Sequence, residues 1–134
     1  MVAEHSAGRL PAGDLDALAS SSGIRRVHVL AWRDFDDPEA GGSEIHAHQV
    51  VRRWAAAGIE VTVRTSGAPG LPEKGRRTVY EVVRRGGRYT AFPQAVVAEL
   101  LGQHGPKDAI VEIWNGVPFM TPLWAYGPRM ALLH

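Results

Sequence analysis

Cysteine is missing altogether, and with it go disulfides, thiolate metal sites and cysteine nucleophiles; the composition suits a reducing compartment. Lysine is scarce: of fifteen basic residues, all but Lys74 and Lys107 are arginine. No apolar run approaches the roughly 20 residues that a membrane-spanning helix needs. The first 23 residues carry acidic and polar side chains throughout with no apolar central stretch, so no secretory signal is expected. An excess of one charge is missing too, since 15 basic residues face 14 acidic ones for a net charge of +1. Nothing global therefore draws the chain to nucleic acid or to a lipid surface. These absences lead us to expect a cytoplasmic chain, in solution or peripheral to a membrane, with no transmembrane segment and no nucleic-acid partner.

What is present is an ordinary globular composition, 45% hydrophobic and 22% charged over 134 residues, enough for one domain that buries roughly two-thirds of its unfolded surface. Residues 1–24 read as a flexible leader, in which Asp14 to Ala19 makes a brief helix and Ser20 to Gly23 a linker. Residues 25–134 alternate strand-like and helix-like segments. Arg26–Ala31 is the first strand. A helix opening at Ser43 places Ala47, Val50, Val51, Trp54 and Ala55 on one stripe and ends at Gly58. Ile59–Thr65 is the second strand, and a Gly/Pro-rich loop over Ser66–Gly75 leads to a third at Thr78–Val83. A helix over Phe92–Leu101 is expected to bury Val96, Val97, Leu100 and Leu101. Strands at Ala109–Ile113 and Arg129–Leu133 follow. Such alternation predicts an α/β, Rossmann-like, doubly wound parallel sheet of order 3-2-1-4-5, with its ligand crevice beyond the carboxyl ends of strands 1 and 4.

Two segments are expected to border that crevice. Gly41-Gly42-Ser43-Glu44 opens the first crossover helix, where bare backbone and unpaired amides suit phosphate or sugar. A bland alternative is that glycine merely relieves the backbone at a strand-to-helix turn. Asn115-Gly116-Val117-Pro118-Phe119 follows strand 4, and His134 should point into the same rim. Glu112, a carboxylate in an apolar strand, either faces the cleft or pairs with an arginine such as Arg129 or Arg88. Asn115 has an amide suited to a sugar hydroxyl.

Other constellations read as structural. Asp34-Phe35-Asp36 has the Asp-X-Asp form that holds divalent metals in some transferases, but no third carboxylate stands at ligand spacing, so a solvated loop is expected. His46 and His48 lie on different helix faces and cannot share an ion; Glu44 stands one turn before His48, within reach of a hydrogen bond. The arginine pairs 52-53, 76-77 and 84-85 are expected on solvated faces.

The run Trp32 to Glu44 with its Asp-Pro-Glu-Ala-Gly-Gly-Ser-Glu core, the patch Gly86-Gly87-Arg88-Tyr89-Thr90, and Glu112 through Phe119 to Pro122 occur in that order, and together they resemble family 4 glycosyltransferases of the GT-B architecture. The resemblance covers Arg25 to the end. It implies the incomplete N-terminal, acceptor-side half of a GT-B fold, and sugar transfer from a nucleotide-sugar donor to an acceptor, with retention and with no metal or other cofactor. It further implies that Gly41, Gly42 and Ser43 approach the donor phosphates or sugar, and that Asn115, Gly116, Phe119 and His134 shape the acceptor side. The family's second Rossmann domain is absent, so the isolated chain is expected to be inactive without a partner chain or the missing segment, and to self-associate through an uncovered strand edge or be only marginally stable. The alternatives are a non-catalytic sugar-phosphate or nucleotide-binding module, and an inert fragment of a longer reading frame.

Overall fold

A computed structural model describes residues 12–77, 79–87, 89–114 and 118–133. Its elements are α1 (Ala12–Ser22), β1 (Arg26–Leu30), α2 (Gly42–Ala56), β2 (Glu60–Thr65), β3 (Lys74–Arg77), β4 (Tyr80–Arg84), α3 (Ala91–Leu100), β5 (Ala109–Trp114), a single 3-10 turn at Thr121–Leu123, and β6 (Arg129–Leu133). One mixed sheet runs β3-β4-β2-β1-β5-β6. All neighbours pair in parallel except β3 with β4.

This order differs from the five-strand order expected, because the segment read as the end of a loop supplies an antiparallel edge strand. Lys74-Gly-Arg-Arg77 has no apolar alternation, so periodicity gives no strand signal there; it is held as a strand by pairing with β4, Lys74 opposite Val83 and Arg77 opposite Tyr80. The helix expected from Asp14 to Ala19 extends over the whole of α1, and its Ala19 is buried.

Alternation along the strands divides the sheet into two faces. Toward α2 point Val27, Val29, Val61, Val63, Tyr80, Val82, Val111 and Ile113, which pack with Ala47 and Val51 of the helix and with the partly buried Trp54 and Ala55. Toward α3 point His28, Leu30, Arg64, Ile110 and Glu112, all buried. Only part of this second face is apolar: Leu30 and Ile110 pack with Ala95, Phe119 and Ala125.

The face of α3 that meets the sheet is not the one expected. Ala91, Ala95, Ala98 and Glu99 are buried, whereas Val97 is 53% exposed and Leu101 68% exposed. Small alanines let the helix approach the strands closely, and the side chain at position 99 finds a charged partner beneath it; the larger apolar residues are turned outward. At the far edge β6 exposes Met130 and Leu133 and has no strand on its outer side among the described residues. No helix among those residues is long and apolar enough to cross a membrane.

Candidate functional site at the carboxyl edge of the sheet

At the carboxyl end of β1 the chain continues through Ala31, whose N–H donates to the Arg64 carbonyl at 2.9 Å. Trp32 then lies against Phe119, with ring centroids 4.9 Å apart, and stacks on Phe92 at 6.3 Å; its carbonyl accepts the Ser66 hydroxyl at 2.6 Å. The loops following β1, β2 and β5 thus meet over one aromatic cluster.

The acidic loop after Trp32 is anchored at its first aspartate, which corrects the expectation of a solvated segment for Asp34, while Phe35 and Asp36 are exposed. Asp34 is buried, and its Oδ2 accepts from Arg84 Nε at 2.6 Å while Oδ1 accepts the Phe35 N–H at 2.8 Å. Arg84 also donates to the Pro72 carbonyl at 3.1 Å and is itself buried, so of the 84-85 pair expected on a solvated face only Arg85 is exposed. A buried guanidinium needs such a carboxylate, and this one ties the β1 loop to the end of β4. Asp36 remains half-exposed at the edge of the same arginine, 4.0 Å away. A cation is already in place between the two aspartates, and no group of three or more His, Asp or Glu side chains suited to a metal occurs among the described residues.

The loop ends at Gly41, which rather than Ser43 is the N-cap of α2. Its N–H donates to Glu44 Oε2 at 2.8 Å, and the Ser43 hydroxyl donates to the same oxygen at 3.0 Å. With Gly41 as the cap in place of the expected start at Ser43, Glu44 stands at the third helical position and supplies the acid that a capping box calls for. Neither glycine is forced by the backbone. Gly41 is extended (φ −124°, ψ −158°), and neither is among the positive-φ glycines. Nor is either forced by space, since a Cβ on Gly41 would meet nothing closer than Glu44 at 3.7 Å and one on Gly42 would meet nothing within 4 Å. Both are exposed. Gly86 stands in contrast: its φ is +82°, and a Cβ would fall 2.9 Å from the Ala91 nitrogen, so only glycine fits there. The bland explanation of the turn holds for Gly86 and does not hold for Gly41 and Gly42.

Further along α2, His48 lies under the ring of Phe35, centroids 4.5 Å apart, and its Nδ1 bonds the Tyr80 hydroxyl. His46 is exposed. Together these contacts pin the acidic loop to the helix it introduces.

At the end of β5, Glu112 is 2% exposed. Its Oε1 accepts the Thr121 hydroxyl at 3.1 Å, and Oε2 is buried with no hydrogen-bond partner among the described residues. The arginine partner expected for it is not Arg129, which donates to the Ala125 carbonyl at 2.6 Å; Arg88 lies outside the described residues. Phe119, expected on the acceptor side, is 1% exposed and forms the floor with Trp32 and Phe92 rather than an open wall. Asn115, Gly116 and His134 lie outside the described residues. Met120 takes a left-handed conformation (φ 56°) and sends the chain into the Thr121–Leu123 turn.

A buried polar network on the α3 face went unread in the sequence. His28 Nδ1 donates to Glu99 Oε1 at 2.8 Å, and Lys107 reaches Glu99 Oε2 at 3.2 Å. Arg64 donates to His104 Nε2 at 2.8 Å, and the His28 and His104 rings meet edge-on at 5.9 Å. Burial pushes the Glu99 carboxyl up, but its bonds to His28 and Lys107 outweigh that and hold it below the usual carboxylate value. Burial, then the neighbouring Arg64 charge, push His104 down to about 4, so its ring is neutral and free to accept. The sequence signal was available: His28 sits in an apolar strand and Glu99 in an apolar helix, each demanding a partner.

The chain matches no protein-family profile, no curated protein and no solved structure.

Proposed function

We propose that the crevice at the mouth of β1 binds a sugar unit, and that the chain is the acceptor-side lobe of a retaining glycosyltransferase that uses a nucleotide-sugar donor. The observation that carries this reading is the pair Gly41-Gly42, exposed at a helix N-terminus and required by neither conformation nor packing. Absence of side chains there is accounted for by the close approach of a ligand. The position supports it as well, because winding reverses between β1 and β5, and crevices at such reversals hold ligands.

The charge at the turn refines the reading. One amide of the helix entrance is already given to the Glu44 carboxylate, which offsets the positive helix end and disfavours a phosphate at that point. Glu44 is itself buried, so the exposed backbone of Gly41 and Gly42 is what remains to meet a ligand. Neutral sugar hydroxyls are favoured there over donor phosphates, and the phosphates fall to an opposing lobe. One wall cannot exclude water from a reacting sugar, so this lobe acts with a second Rossmann-like domain; the exposed β6 edge supports docking there.

The test is a calorimetric titration of the chain with nucleotide-sugars and with free hexoses, repeated with Gly42→Val. Saturable binding that the valine abolishes supports the proposal. Binding that the variant leaves intact, or no binding by any sugar, overturns it.

A further inference from the structure

Two buried polar atoms at the carboxyl end of β5 stand without hydrogen bonds among the described residues: Glu112 Oε2 and Trp114 Nε1. Glu112 lies opposite Leu30, the last residue of β1, and Trp114 follows two positions on, so both side chains leave the same face of the sheet where β1 has ended. Burying such atoms unbonded is unfavourable, because each gives up its bonds to water. The two are complementary, since a carboxylate accepts, an indole N–H only donates, and a hydroxyl group does both. Glu112 already takes one hydroxyl at its other oxygen, from Thr121 at 3.1 Å.

Thr121 belongs to the segment that lies over this part of the sheet. Within residues 119–126, Phe119 and Ala125 pack on Leu30 and Ile110, whereas Met120, Leu123 and Tyr126 are exposed. The segment is braced internally: Trp124 Nε1 donates to the Phe119 carbonyl at 2.7 Å, and the Ala125 N–H to the Thr121 carbonyl at 2.8 Å. Its side-chain bond to β5 is the one from Thr121 to Glu112. Met120 holds φ 56°, a conformation that a long side chain rarely adopts, and Gly127 at the other end has φ +86°. Strained residues of this kind cluster at ligand clamps and switch segments.

We propose that residues 119–126 form a cover over Glu112, and that Glu112 positions one hydroxyl of the bound sugar once this cover lifts. With Thr121 withdrawn, a sugar hydroxyl donates to the carboxylate and accepts from the Trp114 N–H, which satisfies both atoms at once. The proposal rests on the sugar reading above and adds to it a recognition point on β5, across the winding reversal from Gly41 and Gly42. A water molecule has the same donor and acceptor pattern, so sugar and water are separated by direct observation of the indole N–H.

The experiment titrates the full chain with D-glucose, D-mannose and D-galactose at pH 7.5 by calorimetry, with stability read by urea unfolding. Glu112→Gln keeps an acceptor for Thr121 and the side-chain volume, and is expected to weaken hexose binding by about tenfold or more. Thr121→Val removes the hydroxyl that competes for the carboxylate, so binding should strengthen severalfold while stability falls; a purely structural pair would not move the two in opposite directions. The Trp114 indole N–H resonance should shift as hexose is added. Unchanged binding in Glu112→Gln, unchanged or weaker binding in Thr121→Val, or an indole resonance that hexose leaves in place, as for a site holding only water, overturns the proposal. Each of these leaves the crevice reading standing if Gly42→Val still abolishes binding, whereas binding of no hexose and no nucleotide-sugar by the parent overturns both. Should Glu112→Gln fail to fold, Thr121→Val and the resonance decide.

Discussion

The two faces of the sheet solve the same packing problem with different chemistry. Against α2 the strands present valine, isoleucine and tyrosine, and charge enters only at the rim, where Asp34 and Arg84 lock the β1 loop to β4. Against α3 the centre of the sheet presents His28 and Arg64, which are matched by Glu99, Lys107 and His104. An apolar face tolerates small rearrangements because dispersion and the hydrophobic effect have no direction. A buried polar network depends on each partner standing at hydrogen-bond distance, and it responds to protons. The α2 side thus builds the apolar base of the glycine crevice, and the α3 side holds the groups whose charge can change.

The comparison can be broken most forcefully at the rim. Arg84→Ala removes the guanidinium from the buried Asp34 carboxylate and is expected to cost about 3–5 kcal/mol in urea unfolding; a loss below 1 kcal/mol would mean that the pair does not anchor the loop. Next come the two kinds of glycine. Gly86→Ala places a Cβ against Ala91 at positive φ and should cost about 1–3 kcal/mol, whereas Gly42→Ala should stay within about 0.5 kcal/mol. Equal effects at the two positions would remove the argument that Gly42 is kept bare for a ligand.

Acid sharpens the contrast between faces. The unfolded chain takes up a proton at His104 near the ordinary histidine value of 6.5, and the folded chain only near pH 4. Stability is therefore present above about pH 6.5 and is lost as pH falls toward 4, by up to about 1.4 kcal/mol per pH unit. Glu99, whose folded pKa is depressed, adds a loss below its ordinary value of 4.5. Chemical denaturation across this range should show both stages, and His104→Gln, which keeps an acceptor for Arg64, should flatten the upper one. An unchanged slope between pH 6.5 and 4.5 in that variant would refute the assignment. The smallest effect is expected on the outside of α3: Val97→Ser and Leu101→Ser should each change stability by no more than about 0.5 kcal/mol, where burial of those side chains would have predicted several-fold more.

Much of the layout was legible from one dimension. The valine-rich runs at 27–29, 61–63 and 109–113 announce buried strands, the 47-51-54-55 stripe announces a helix that leans on them, and Gly41-Gly42 announces an open turn. The α3 face was harder to read. Val96, Val97, Leu100 and Leu101 outweigh Ala91, Ala95 and Ala98 on any hydrophobicity count, yet the helix buries its alanines, because closeness to the sheet and the Glu99–His28 bond decide its rotation. Arg64 and Arg84 look alike in sequence, each near the end of a strand. Only one of them has a carboxylate beside it.

By itself the sequence determined the α/β alternation, the crossover helices and the bare backbone at the end of the first strand, because these follow from periodicity and from the identity of glycine, which are local. Tertiary structure alone decided the antiparallel edge strand, the side of α3 that meets the sheet, and which buried charges are matched. Those outcomes depend on residues that lie between 9 and 71 positions apart in sequence, such as Lys74 with Val83, Asp34 with Arg84 and His28 with Glu99, and on a distance between them that no pattern along the chain encodes.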